Sequence, residues 1–168
     1  MRLQASLPLL IVQLIFVATA WAQQAETDAR STAYCDFDDG KEVSVRYNPT
    51  VSSKDEPHNG KVWFPGGSAI TLFSGAALTL NNSPIPAGAY SVYVITSKKD
   101  WTLIVNKNVT APDQYDEKQD VARSPMELGE VDSPPHELQV SFAHSAAKQC
   151  SIRLYYGKAG AFADFKEQ

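Results

Sequence analysis

Ala33-Tyr34-Cys35-Asp36-Phe37-Asp38-Asp39-Gly40-Lys41-Glu42-Val43-Ser44-Val45-Arg46-Tyr47 reads as two strands and the turn between them. Val43, Val45 and Tyr47 alternate with Glu42, Ser44 and Arg46, the period-two pattern of a strand with one face buried. Asp39-Gly40 is a two-residue hairpin signal, because both central positions of such a turn must accept positive φ. Residues 33–38 supply the partner strand, with Cys35 and Phe37 on one face.

The same pattern recurs along the chain. Residues 61–64, 69–73 and 76–80 read as strands, Asn81-Asn82-Ser83-Pro84 as a turn, and 89–96 with 101–106 as a pair joined by Ser97-Lys98-Lys99-Asp100. Later, residues 136–142 turn Leu138, Val140 and Phe142 inward, 150–156 follow, and 161–165 make a short closing strand. No window carries a helical stripe, and prolines and glycines fall between the runs, as strands require. The expected fold is all-β: an antiparallel β-sandwich of jelly-roll type with about 9–11 short strands. Residues 108–135 are polar and rich in proline, with Val121 and Leu128 as anchors. They predict a long surface excursion holding one short edge strand near 120–124. The polar stretch 48–60 reads as a loop inside a single domain spanning 33–168.

Residues 1–22 have the form of a signal peptide. Arg2 precedes an apolar run from Leu7 to Ala20, and Ala20-Trp21-Ala22 is the small-x-small pattern that predicts cleavage after Ala22. The run is shorter than the ~20 residues of a spanning helix. The expected product is an exported, soluble chain, periplasmic or secreted, with a flexible start over 23–32 and no stable insertion in the membrane. Of 168 residues, 43% are hydrophobic and 20% charged, a globular balance. The formal charge of −4 gives no basic patch for nucleic acid or anionic lipid. The two cysteines, Cys35 and Cys150, are expected to pair in an oxidising compartment. Without a C-x-x-C motif, neither redox catalysis nor a cysteine zinc site is indicated.

A resemblance adds to this reading. Gly60-Lys61-Val62-Trp63, Thr71-Leu72, Pro86-Ala87-Gly88-Ala89-Tyr90-Ser91-Val92 and Trp101-Thr102-Leu103-Ile104-Val105-Asn106-Lys107 are similar to the bacterial domain-of-unknown-function 2911 family. So are Tyr115-Asp116, Asp120-Val121-Ala122-Arg123 and Leu154-Tyr155-Tyr156-Gly157-Lys158. The resemblance covers most of residues 33–165 and implies an exported, all-β bacterial domain of unassigned activity. Many members follow the first tryptophan with an arginine, a glycine and a polar Asn-Glu pair. Here Phe64-Pro65-Gly66-Gly67-Ser68-Ala69 stands instead, without the charged residues.

Chemical motifs are sparse. There is no G-x-S-x-G elbow, and Ser68 after Gly66-Gly67 reads as a turn serine rather than a nucleophile. His58 lies in a polar loop, and His136 and His144 are eight positions apart, ~26 Å if extended, too far to share an ion. No metal or other cofactor is expected. Asp113, Asp116, Glu117 and Asp120 cluster in the long loop, most simply as a solvated acidic surface. Trp63, Trp101, Tyr93, Tyr155 and Tyr156, together with Asp116, Asp120 and Arg123, are the candidate binding residues. Aromatic rings on an exposed sheet face stack on sugars or dock apolar partners, although Trp63 and Trp101 are at least as suited to the core.

The function that fits these features is a non-catalytic binding module for a glycan or protein of the cell envelope. One alternative is a hydrolase using an acid–histidine pair around the 113–123 loop. Another is a structural protein whose sheet edges join an assembly.

Overall fold

A computed structural model describes residues 30–51 and 59–168. The expected leader with its Ala22 junction, residues 23–29, and His58 lie outside the described residues.

Among the described residues twelve strands follow in order: β1 (Ser31–Asp36), β2 (Glu42–Tyr47), β3 (Val62–Trp63), β4 (Ile70–Ser74), β5 (Leu78–Leu80) and β6 (Ser83–Ile85). Then come β7 (Gly88–Thr96), β8 (Trp101–Asn106), β9 (Asp120–Glu130), β10 (Gln139–Ala146), β11 (Gln149–Tyr156) and β12 (Ala159–Glu167). All named pairings are antiparallel, in the path β1-β2-β4-β7-β8-β9-β12-β11-β10. The two layers of the expected sandwich are thus halves of one sheet, nearly closed into a barrel-like form. β9 joins them: Asp120 to Met126 pair with β8, and Glu127 to Glu130 pair with β12.

The opening hairpin forms, with Cys35 opposite Val43, but its turn is wider than the expected two-residue one: the ladder ends at Asp36 and Glu42, Phe37 N–H donates to the Lys41 carbonyl, and Gly40 (φ 82°) takes positive φ while Asp39 does not. One strand, β6, was not evident in the sequence. Asn81 and Asn82 both take positive φ (47° and 64°), so they form a tight hairpin turn that returns Ser83-Pro84-Ile85 beside β5. Pro84 is tolerated because β6 pairs on one side only. The short edge strand expected near 120–124 is in fact the eleven-residue β9, between two neighbours. Its inward residues are Ala122, Ser124 and Met126, too weakly apolar to reveal the alternation. β10 begins at Gln139 rather than 136, since Glu137 makes only an isolated bridge with Val51.

The main core fills the space inside the curled sheet. Val43, Val45, Leu72, Val92, Val94, Leu103, Val105, Ile152, Leu154 and Phe165 meet there, nearly all without solvent contact. Each such side chain contributes on the order of 1.5–3 kcal/mol by leaving water. Near one end of the barrel, Trp63 packs edge-on against Trp101, with ring centroids 5.7 Å apart, and in a tilted arrangement against Tyr156 at 4.9 Å. Cys35 on β1 bonds to Cys150 on β11, tying together opposite ends of the sheet path across 115 positions of sequence. At the same seam Asp38 N–H donates to the Ala147 carbonyl, and His144 lies 3.5 Å from Asp38. The chain end is also held: Lys41 Nζ donates to Glu167 Oε1 at 2.8 Å and to Asp39.

Replacing both cysteines by serine should lower unfolding stability by about 4–5 kcal/mol, the chain-entropy value for so long a loop. Urea unfolding of the double variant and of the reduced parent should agree. An unchanged transition midpoint would mean that the sheet closes without the covalent link.

Candidate functional site

β7 and β8 are covered on both faces. Tyr90, Val92 and Val94 face the main core, whereas Tyr93 and, on β8, Ile104 point to the other side and are fully buried there with Ala69. The cover is the 108–119 segment together with Phe64 and Val62. Tyr93 is the pin. Its ring meets Phe64 at 5.1 Å and Tyr115 at 5.2 Å, both edge-on, and its hydroxyl donates to the Pro112 carbonyl at 2.8 Å.

The candidate acids and Arg123 lie at the margin of this second core. A 3-10 turn over Glu117–Gln119 is capped by Asp116, which accepts from Lys118 N–H and from Gln119 Nε2. These bonds hold the Asp116 carboxyl below the usual range, the Gln119 side chain contributing most. Asp120 accepts from Asn106 Nδ2 at 2.7 Å, from the Tyr115 hydroxyl at 2.9 Å and from Arg123 Nε at 2.7 Å. Arg123 Nη2 also donates to the Tyr115 oxygen and to Glu117 Oε1. Burial, then the hydrogen bond to Asp120, pushes the Tyr115 phenol up to about 12. The Arg123 guanidinium is held charged chiefly by Asp120.

Asp116, Asp120 and Arg123 are therefore brought together, but their polar atoms are spent on one another and on fastening the loop. His144 pairs with Asp38 at the distant seam. Among the described residues, no three His, Cys, Asp or Glu side chains gather as a metal site. Ser68 occupies the turn after Gly67, as expected. Its neighbour Gly66 has φ 84°, and a Cβ there would sit 2.1 Å from the Asn48 carbonyl oxygen. Asn48 and Thr50 side chains both donate to the Gly66 carbonyl.

Of the aromatic candidates, Trp63, Trp101, Tyr93 and Tyr156 are buried, and Tyr155 is half-buried on the outer face. Trp101 nevertheless reaches a surface. It helps line a cleft of about 720 Å³ at the end of the barrel where the β7–β8 and β11–β12 turns meet the last residues of β9. Leu128 and Ala159 extend the apolar lining, and Lys98, Lys158, Glu130 and Asn59 supply polar groups. Asn59 also accepts from Lys98 N–H, tying the β7–β8 turn to the segment before β3. Two further concavities hold about 270 and 220 Å³. Sequence reasoning singled out Trp101 but missed this cleft, because its lining comes from four separated segments.

Fold and site together define an antiparallel β-barrel-like protein, clasped by a disulfide, with an open mouth at one end and a loop-covered flank. A family model described as protein of unknown function (DUF2911) matches residues 29–163, and the chain belongs to that family. No curated protein and no solved structure matches the chain.

Asp120→Ala should cost about 2–3 kcal/mol, since Asn106, Tyr115 and Arg123 lose a shared acceptor. The raised Tyr115 phenol sets a second expectation. Below pH 10 the neutral phenol predominates in both states and its contribution to stability is intact. That contribution declines between pH 10 and about 12, where the unfolded chain releases the proton and the folded one retains it. Burial also raises Tyr90 and Tyr93, so absorbance titration should find Tyr115 ionising near pH 12 as part of a high-pH step whose amplitude falls by one tyrosine in Tyr115→Phe.

Proposed function

We propose that this is an exported, non-catalytic binding module of the bacterial cell envelope and that its ligand enters the barrel mouth. The supporting observation is the cleft of about 720 Å³, with apolar surface at its floor and side-chain charges at its rim. Mouths of β-barrels are a recurrent location for ligands, because turns at a barrel end can vary without disturbing the sheet. The aromatic packing of Trp63, Trp101 and Tyr156 gives the floor a rigid backing. Such a site grips by shape and charge.

A hydrolytic reading receives less support. The acids of the 113–123 region serve as caps and acceptors for their own loop, remote in role from the mouth. Export is supported by the apolar leader ending in Ala20-Trp21-Ala22 and by the Cys35–Cys150 bond, which persists in oxidising compartments.

The test uses the chain recovered from the envelope of an expressing cell. Its mass should correspond to a start at Gln23. Retention on insoluble envelope glycan should fall about tenfold or more in Lys98→Glu/Lys158→Glu, which reverses both rim cations. Equal retention of that variant would remove the mouth as the site. Turnover in a broad hydrolase panel, abolished by one acid or histidine substitution, would replace the binding reading with an enzymatic one.

A further inference from the structure

The polar groups of the mouth are mostly donors, and the hydrogen bonds of its own turn make them so. Asn59 Oδ1 accepts from Lys98 N–H at 3.1 Å, which commits the oxygen of that amide; among the described residues its Nδ2 protons have no acceptor. Ser97 Oγ accepts from Asp100 N–H at 2.8 Å and from Lys99 N–H at 3.3 Å, so its lone pairs are used, while its own proton is left to donate. Among the described residues, the Lys98 and Lys158 ammonium groups have no partner. Lys98 is held through its backbone N–H, and Lys158 through its carbonyl, which accepts from Val131 N–H. The two lysines belong to different hairpins, β7–β8 and β11–β12, whose turns meet at this opening. Against these donors the lining offers one carboxylate, Glu130, on a chain whose formal charge is −4. A rim built this way reads acceptors that carry negative charge.

The apolar side of the cleft narrows the class further. Trp101 keeps only 6% exposure, so it presents no ring face for a sugar to lie on. The apolar surface is aliphatic instead: Leu128, 37% exposed, and the half-buried Ala159. Behind it Trp101, Trp63 and Tyr156 pack together and close the floor. An occupant therefore enters end-on, sets small aliphatic groups against Leu128 and leaves its negative charges among the rim donors. Glu130 can take one N–H in return. The free end of a peptide combines these features, with a terminal carboxylate, short side chains, amide N–H groups and a second acid a residue or two back. We propose that the mouth holds the C-terminal end of a short acidic peptide, its carboxylates between Lys98 and Lys158 and its small side chains on Leu128 and Ala159. This rests on the reading of the mouth as a binding site, and it adds the ligand's class and the direction in which it enters.

Calorimetry on the exported chain with acetyl-Glu-Ala-Ala, the same peptide amidated at its C-terminus, digalacturonate and neutral cellotriose tests it. The acid peptide should bind about tenfold or more tightly than each of the others, and its margin over the amide should narrow as salt is raised. Lys98→Ala/Lys158→Ala should weaken the acid peptide about tenfold and Leu128→Ser about threefold, with melting curves confirming that both variants fold. An amide that binds as tightly as the acid overturns the proposal, because the rim then does not read the terminus. Equal or tighter binding of digalacturonate overturns the peptide class and leaves the mouth as an anion site. Equal or tighter binding of cellotriose overturns both charge and class. If the acid peptide binds the Lys98→Ala/Lys158→Ala variant undiminished, its site is not the mouth. No heat with any of the four probes at two temperatures overturns the peptide proposal; retention on envelope glycan then decides the mouth separately.

Discussion

One sheet must hide one face, and in this chain it does so by curling until its two ends meet. The bond between Cys35 and Cys150 fixes that meeting, because β1 begins the path of strands and β11 lies next to its far end. Without the closure, Cys35, Phe37 and Val43 at one end and Ile152 and Leu154 at the other would each lose part of their cover. The switch within β9 is the second requirement. A strand that leaves one neighbour and takes up another lets the sheet turn a corner without ending. Pro125 stands close to that switch, opposite Thr102.

Much of this arrangement could be read from residues. Wherever a strand has one dry face and one wet face, as in Glu42 to Tyr47, alternation reveals it. The reading weakened where both faces are covered or where inward residues are small. Tyr90 to Ile95 has scarcely a polar residue, because the 108–119 segment lies over its outer side. That segment looked like a solvated loop, since a cover needs only a few anchors: Tyr115 inside, and Pro112, Asn108 and Asp116 through hydrogen bonds. β9 escaped for the complementary reason, with alanine, serine and methionine where valine or leucine would have marked the core.

The candidate residues divide in the same way. Asp116, Asp120 and Arg123 were grouped by proximity in sequence and are grouped in space, in an arrangement that consumes their hydrogen-bonding capacity locally. Trp63, Trp101 and Tyr156 were chosen as separate aromatic positions, and their clustering is a tertiary fact that no spacing announces. Lys98, Glu130 and Lys158 were not among the candidate residues, because turn and strand-end charges are ordinary until a fold sets them around one opening.

The wide separation of the bonded sulfurs also sets an order of events during synthesis. Cys150 follows Cys35 by 115 positions, so the first thiol waits through that much chain growth before its mate exists. In that interval it has no correct partner within its own molecule and is open to reaction with other thiols. Oxidation can therefore be productive only after every strand from β1 to the start of β11 has been made, and the covalent bond is a seal applied late rather than a scaffold laid at the start.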